Sequence, residues 1–232
     1  MQQEEFPKRF NLLMKYMAMS KIKSSDQLLD YMDENLKNRK REISFLKLQL
    51  QEKVRKKSKE VGVLSKSLIL ISYSHYEGFV KDSSVKFFEY LNFKGLKCKD
   101  VTKGLVAAYI HASLYSNPLS ATASMEKILD FISNDENKII FNPKYMSDAE
   151  SNLNSEILEK ITKRMDMHFF ELDANRTFID SVILKYRNDF AHGDWIYVDT
   201  DRALEISNKV VLLLDSFSNE LQNIIVLKKY LR

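Results

Sequence analysis

Residues 29 to 50, LDYMDENLKNRKREISFLKLQL, decide what kind of fold this chain can adopt. Leu29, Met32, Leu36, Arg39, Ile43, Leu46 and Leu50 recur at alternating steps of three and four, a heptad seam with one arginine inside it. Neither glycine nor proline interrupts the run, and Ser24, Ser25 and Asp26 stand ahead of it as N-cap candidates. The pattern predicts a helix over about 26–58, on the order of 50 Å long at 1.5 Å per residue. A rod of that length needs an antiparallel partner.

Residues 61–92 supply one. The stretch VLSKSLILISYSHYEGFVKDSSVKFFEYL is apolar on most faces in its first half, which places it centrally. Gly95 ends it. Asp100 caps a third helix over 101–116 that stops before Pro118, and Ser124 caps a short one over 125–132. Residues 134–148 read as irregular, with a short extended piece at 138–141. Asn154 or Ser155 begins a helix reaching 165, and another spans 175–192. Thr200 caps a last helix over 201–230, striped by Ala203, Ile206, Val210, Leu213, Phe217, Leu221, Ile224 and Leu227. The fold class is therefore all-α: two long antiparallel helices with extra short ones. One helical domain over 24–232 follows an amphipathic segment, 1–23, carrying Phe6, Phe10, Leu13 and Met17.

Composition agrees with this. Of 232 residues 44% are hydrophobic, enough for a substantial core, while five glycines and three prolines are too few for a chain of many short strands. No apolar run reaches the roughly 18 residues of a membrane span. The N-terminus mixes acids and lysines into its apolar part, unlike a signal peptide, so a cytoplasmic protein is expected. One cysteine, Cys98, excludes an internal disulfide, and four histidines make a zinc site unexpected; no metal or cofactor is called for.

The formal charge of +4 is unevenly spread. Residues 37–59 hold ten basic and two acidic side chains, a local charge of +8, leaving 26 basic against 30 acidic elsewhere. Arg39, Lys40, Arg41, Arg55, Lys56 and Lys57 are its candidates for holding an RNA backbone. A long exposed helix rich in lysine reads the same way without any ligand.

The chemistry sits in YRNDFAHGD, residues 186–194. Cleavage of RNA near neutral pH without a metal needs a base for the ribose 2′-hydroxyl and a cation for the charge growing on the phosphoryl oxygens. His192 suits the first task and Arg187 the second. Asn188 is four residues before His192 and shares its helical face, so it can orient the imidazole or donate to phosphate; Asp189 is a further supporting candidate. On an ideal helix Arg187 and His192 are about 140° apart. A helix ending at Gly193, or a two-fold dimer joining two copies of the motif, relieves that separation. The plain alternative is a helix end: Gly193 closes the helix, His192 sits where the dipole favours a cation, and Arg187 is a surface residue.

RNDFAHG, with the polar Asn188 directly after the arginine, resembles the Arg-x4–6-His motif of HEPN-domain ribonucleases. ENLKNRKREISFLKLQL, SLILISYSHYEGFVK and NLNSEILEKI, in that order before it, are similar to the RiboL-PSP-HEPN group, and the resemblance covers about residues 27–217. It implies an all-α bundle, dimerisation through the motif region and metal-independent endoribonuclease activity, often in toxin–antitoxin or antiviral systems with an antitoxin or other partner protein. It also implies catalytic roles for Arg187 and His192 with Asn188 in support. Some HEPN toxins carry a modifiable tyrosine two residues after the histidine; here that residue is Asp194.

SHYEGFVK, 74–81, is the second place of interest. Glu77 either pairs with Lys81 on its own helix or turns to Arg187 or His192. His75 is open to either reading. His111 and His168 are expected to pack, as is Trp195, with base stacking its lesser role. Two functions from different classes follow: an endoribonuclease leaving a 2′,3′-cyclic phosphate, or a non-catalytic RNA- or protein-binding module whose long seam serves a partner.

Overall fold

A computed structural model describes residues 22–116, 120–149, 152–193 and 196–232. The amphipathic segment expected over 1–23, apart from its last two residues, and the expectations for Asp194 and Trp195 lie outside them. Helix α1 spans Ser25–Arg55, its start fixed by the Ser24 hydroxyl accepting from the Gln27 amide at 3.2 Å. It ends just before Lys57, which takes φ +51° and turns the chain into α2, Val61–Lys94. The two are antiparallel: Lys53 pairs with Glu60, Arg39 reaches His75 and Asp82, and the Lys86 ammonium lies over the Tyr31 ring. The final helix, α9 (Thr200–Val226), runs antiparallel to α1 in turn. Lys40 meets Asp215 at 2.8 Å, Lys47 meets Asn208 at 2.6 Å and Gln222 meets Asp33 at 2.7 Å.

These three helices consume the heptad seam. Met32, Ile43 and Leu50 are completely buried, and α2 carries Leu68, Ile69, Phe79, Phe87 and Phe88 into the same core. Phe79 meets Phe217 of α9 edge-on at 6.2 Å. Full burial of each such side chain contributes about 1.5–3 kcal/mol before conformational entropy is charged.

The remaining elements are α3 (Lys103–Ser116), α4 (Ala121–Ser133), α5 (Pro143–Met146), α6 (Ser155–Arg164), α7 (Glu171–Phe178), a π-helical turn Ile179–Ile183, and α8 (Leu184–Ala191). Among the described residues there is no named strand. Lys138 forms only an isolated bridge with Lys97, which is what the expected extended piece amounts to.

Several expected boundaries move. Helix α3 begins at Lys103 and not 101, with the Thr102 hydroxyl, not Asp100, accepting from the Leu105 amide, and the helix expected from 175 begins at Glu171. Helix α4 starts four residues early because Ser120 caps it, and the Ser124 amide is already bonded inside it to the Ser120 carbonyl. Asp199, not Thr200, caps α9, its carboxylate accepting from the Arg202 amide at 2.8 Å. That helix stops at Val226 because Lys228 adopts φ +50° and the chain returns: the Tyr230 carbonyl accepts from Thr102, and its hydroxyl lies 3.1 Å from that of Tyr90.

Two histidines expected to pack are exposed instead. In the link after α6, Met167 and Phe169 point inward, so His168 and Phe170 point out, their tilted rings 4.1 Å apart. His111 lies on the outer face of α3 beside the Tyr145 hydroxyl.

Candidate active site

The helix carrying Arg187 and His192 is aimed by the π turn that precedes it. A π turn takes one residue more than an α turn, so everything after Ile183 is rotated relative to α7. Asp180, within that turn, accepts from the Ser155 amide at 2.8 Å and from its hydroxyl at 2.5 Å. With Asn154 accepting from Ile157, the start of α6 is doubly capped and tied to the motif helix.

Helix α8 then lies against α2. The Arg187 guanidinium sits over the Tyr73 ring at 5.7 Å, a cation–π contact. Its Nη1 donates to Asn188 Oδ1 at 3.0 Å, so Asn188 orients the arginine and its amide nitrogen keeps its donors. Tyr186 stacks on Phe190 at 5.7 Å, the Lys66 ammonium lies 5.5 Å from the Phe190 ring, and Arg202 of α9 lies near enough to Tyr186 to interact with its hydroxyl. Asp189 is half-buried, and its Oδ2 has no hydrogen-bond partner among the described residues.

Below Arg187 the polar chain continues into α2. The Tyr73 hydroxyl donates to Glu77 at 2.8 Å and accepts from the Leu153 amide at 2.9 Å. Burial, reinforced by the Glu77 carboxylate, pushes the Tyr73 phenol up, so it remains a donor. Glu77 thus reaches Arg187 only through Tyr73. Among the described residues it forms no ion pair with Arg187, His192 or Lys81.

His192 is placed differently. Its amide closes the helix on the Asn188 carbonyl at 3.0 Å, and Gly193 follows at φ +84°, a conformation that glycine adopts without strain. The helix therefore ends as the sequence indicated. The imidazole is exposed, and among the described residues it makes no hydrogen bond. Within one chain Arg187 points to α2 and His192 to solvent.

The basic segment divides in two. Arg39 turns inward with 17% of its side chain exposed, binding Asp82 at 2.6 Å and Asn35 at 2.6 Å. Lys40 is tied to Asp215 and Lys56 to Glu52. Arg41, Arg55 and Lys57 are exposed. Gly78 makes room for Arg39: a Cβ there would stand 2.6 Å from its Nη1. His75 joins this cluster, its Nε2 3.1 Å from Glu42 and its Nδ1 3.5 Å from Arg39. Burial, the largest influence, holds its pKa below the usual value, Arg39 adds to that, and Glu42 opposes it. His75, Gly78 and Asp82 face away from Tyr73 and Glu77, about 150° around α2.

Sequence reasoning missed Tyr73, Lys66 and Arg202. Tyr73 alone had a signal, standing one helical turn before Glu77.

An all-α bundle that presents an Arg-x4-His motif at the end of a buttressed helix defines a class. The chain belongs to the HEPN superfamily: the family HEPN_MAE_28990, a HEPN-like domain, matches residues 28–230. Comparison with curated proteins and with solved structures gave no match. HEPN domains are often ribonucleases and often dimerise. Among the described residues no helix is long and apolar enough to cross a membrane.

Proposed function

We propose that this protein is a metal-independent endoribonuclease acting as a dimer through its motif region, as a toxin or antiviral effector in the cytoplasm. The observation that carries the reading is the division of labour on α8. Arg187 is held over Tyr73 and clamped by Asn188, while His192 is displayed at an exposed helix end. A preoriented guanidinium suits a developing phosphorane charge, and an accessible imidazole suits proton transfer. His192 acts as general base or acid, Arg187 stabilises the pentacoordinate phosphate, and Asn188 and Asp189 support them. The free 2′-hydroxyl is the nucleophile, so a 2′,3′-cyclic phosphate and a 5′-hydroxyl result.

The two side chains diverge on one helix, which favours a composite cleft in which two copies contribute. Arg41, Arg55, Lys56 and Lys57 guide the RNA backbone, with Arg39 and Lys40 braced from behind. An antitoxin or another defence protein would restrain the activity.

The binding-module alternative drew on an unpartnered heptad seam. That seam is covered by α2 and α9 of the same chain, which removes its chief support.

The test is cleavage of total RNA and tRNA in EDTA by wild type, Arg187→Ala and His192→Ala. Cutting by wild type alone, with cyclic phosphate ends, supports the reading. Equal cutting by the variants, or cutting of DNA, overturns it.

A further inference from the structure

Helices α3, α5 and α6, none of which carries the motif, enclose a cleft of about 800 Å³. That volume lies within the range of small-ligand sites and exceeds what a single nucleotide fills. Gly104, Ala107 and Ala108 of α3 line it with little side-chain bulk. Its rim holds two unlike kinds of group, aromatic and cationic.

The aromatic side is built around Tyr145 of α5. Its ring lies 5.3 Å from that of Tyr115, tilted by 36°, and the Arg164 guanidinium sits over it at 4.7 Å. Arg164 also donates to the Tyr145 carbonyl at 2.9 Å, and the Tyr145 hydroxyl lies 3.3 Å from His111 Nδ1. Tyr145 is therefore fixed from three directions. Tyr115 rests on it while 71% exposed.

The cationic side is α6, which presents Lys160, Lys163 and Arg164 to the cleft, and Asp148 also lines it. Lys163 pairs with Glu159 at 2.6 Å but is 73% exposed. Glu159 is also held by Arg176 at 2.7 Å, so it keeps a cation if Lys163 swings to another anion. Glu156 pairs with Lys160 at 2.8 Å and tempers the charge without entering the cleft.

We propose that this cleft binds an unpaired nucleotide of the RNA substrate, its base stacked on Tyr115 and its phosphate held by Lys163 and Arg164. A ring supported on one side by another ring offers its other face to a base, and cations beside it suit the phosphate. A base-paired nucleotide has no free face to give, so the site selects single-stranded RNA. The same α6 is clasped at its start by Asp180 of the turn that aims the motif, which gives cleft and motif one rigid support. The inference rests on the ribonuclease reading for the identity of its ligand.

The experiment measures anisotropy of a labelled single-stranded RNA made with 2′-O-methyl riboses, which the proposed mechanism cannot cut. Wild type, Tyr115→Ala, Tyr115→Phe and Lys163→Ala are compared, with duplex RNA of the same sequence and a free nucleoside monophosphate as competitors. Tyr115→Ala should weaken single-strand binding by roughly tenfold or more while Tyr115→Phe retains it. Lys163→Ala should lower the slope of log affinity on log salt by about 0.7. Single-strand affinity unchanged in Tyr115→Ala and Lys163→Ala overturns the proposal, as does equal competition by duplex or by the free nucleotide. Parallel cleavage of unmodified RNA separates the two failures. Wild type that cuts while Tyr115→Ala binds normally loses only the cleft. Wild type that neither cuts nor binds loses both.

Discussion

The Arg187 guanidinium rests over the Tyr73 ring, and the Tyr73 hydroxyl donates a hydrogen bond to Glu77 at 2.8 Å. The arginine is thus supported by a neutral aromatic, with the carboxylate one residue removed. Its charge is oriented without being cancelled.

Tyr73→Phe should retain most of the cleavage rate, because the ring beneath Arg187 remains. It should still lose about 1–3 kcal/mol of stability, since the Leu153 amide and Glu77 each lose a partner. Tyr73→Leu should lower kcat by about tenfold with KM little changed, because the arginine loses its platform. Denaturant unfolding and single-turnover cleavage, run on both variants, separate the two effects.

Mixing Arg187→Ala with His192→Ala tests the composite cleft. If each site draws its arginine and histidine from different copies, half the dimers are mixed and carry one intact site. Activity should then return to about a quarter of wild type. No recovery on mixing two inactive preparations places both groups in one chain.

Gly78→Ala should destabilise the protein by about 1–2 kcal/mol. The alanine recovers about 1 kcal/mol of helix propensity, but its Cβ displaces Arg39 from Asp82 and Asn35. The 45% exposure of Asp82 limits the loss. Combined with Arg39→Met the same substitution should be neutral or stabilising. Additive losses in that double variant, read from urea midpoints, would sink the steric account.

The His75 cluster predicts a pH dependence. The native ring holds its proton less well than the unfolded one, so the unfolded chain binds more protons in the histidine range. Stability is full above about pH 6.5 and declines as pH falls through that value. Glu136 and Glu159, held near 2 by Lys97 with Lys99 and by Lys163 with Arg176, lose their share only at lower pH. Urea midpoints measured between about pH 7.5 and 5.5 should fall for wild type and flatten in His75→Gln. Parallel profiles would remove His75 as the cause.

Much of this was legible in the residues. The seam from Leu29 to Leu50 predicted α1 and its burial, because a step of three or four has only one stable reading in an uninterrupted run. Gly193 predicted the end of α8. What escaped depends on contacts distant in sequence. Arg39 looked like part of a basic face, and nothing near it announces Asp82, 43 residues away. The two exposed histidines had apolar neighbours, but those neighbours turn the other way. Tyr73 as the seat of Arg187 requires knowing how α8 is rotated, and no periodicity within 175–192 reports the extra residue of the π turn.

That extra residue makes the motif's aim a matter of counting. Deleting the exposed Ser181 would let the turn relax into ordinary α-helix without re-aiming the motif, because the π turn holds its extra residue as a bulge; an alanine inserted after Leu184 would instead swing every later residue by about 100°. Circular dichroism should scarcely register that insertion, yet Arg187 would leave Tyr73 and cleavage should vanish. The chain would have kept all its chemistry and lost only its phase.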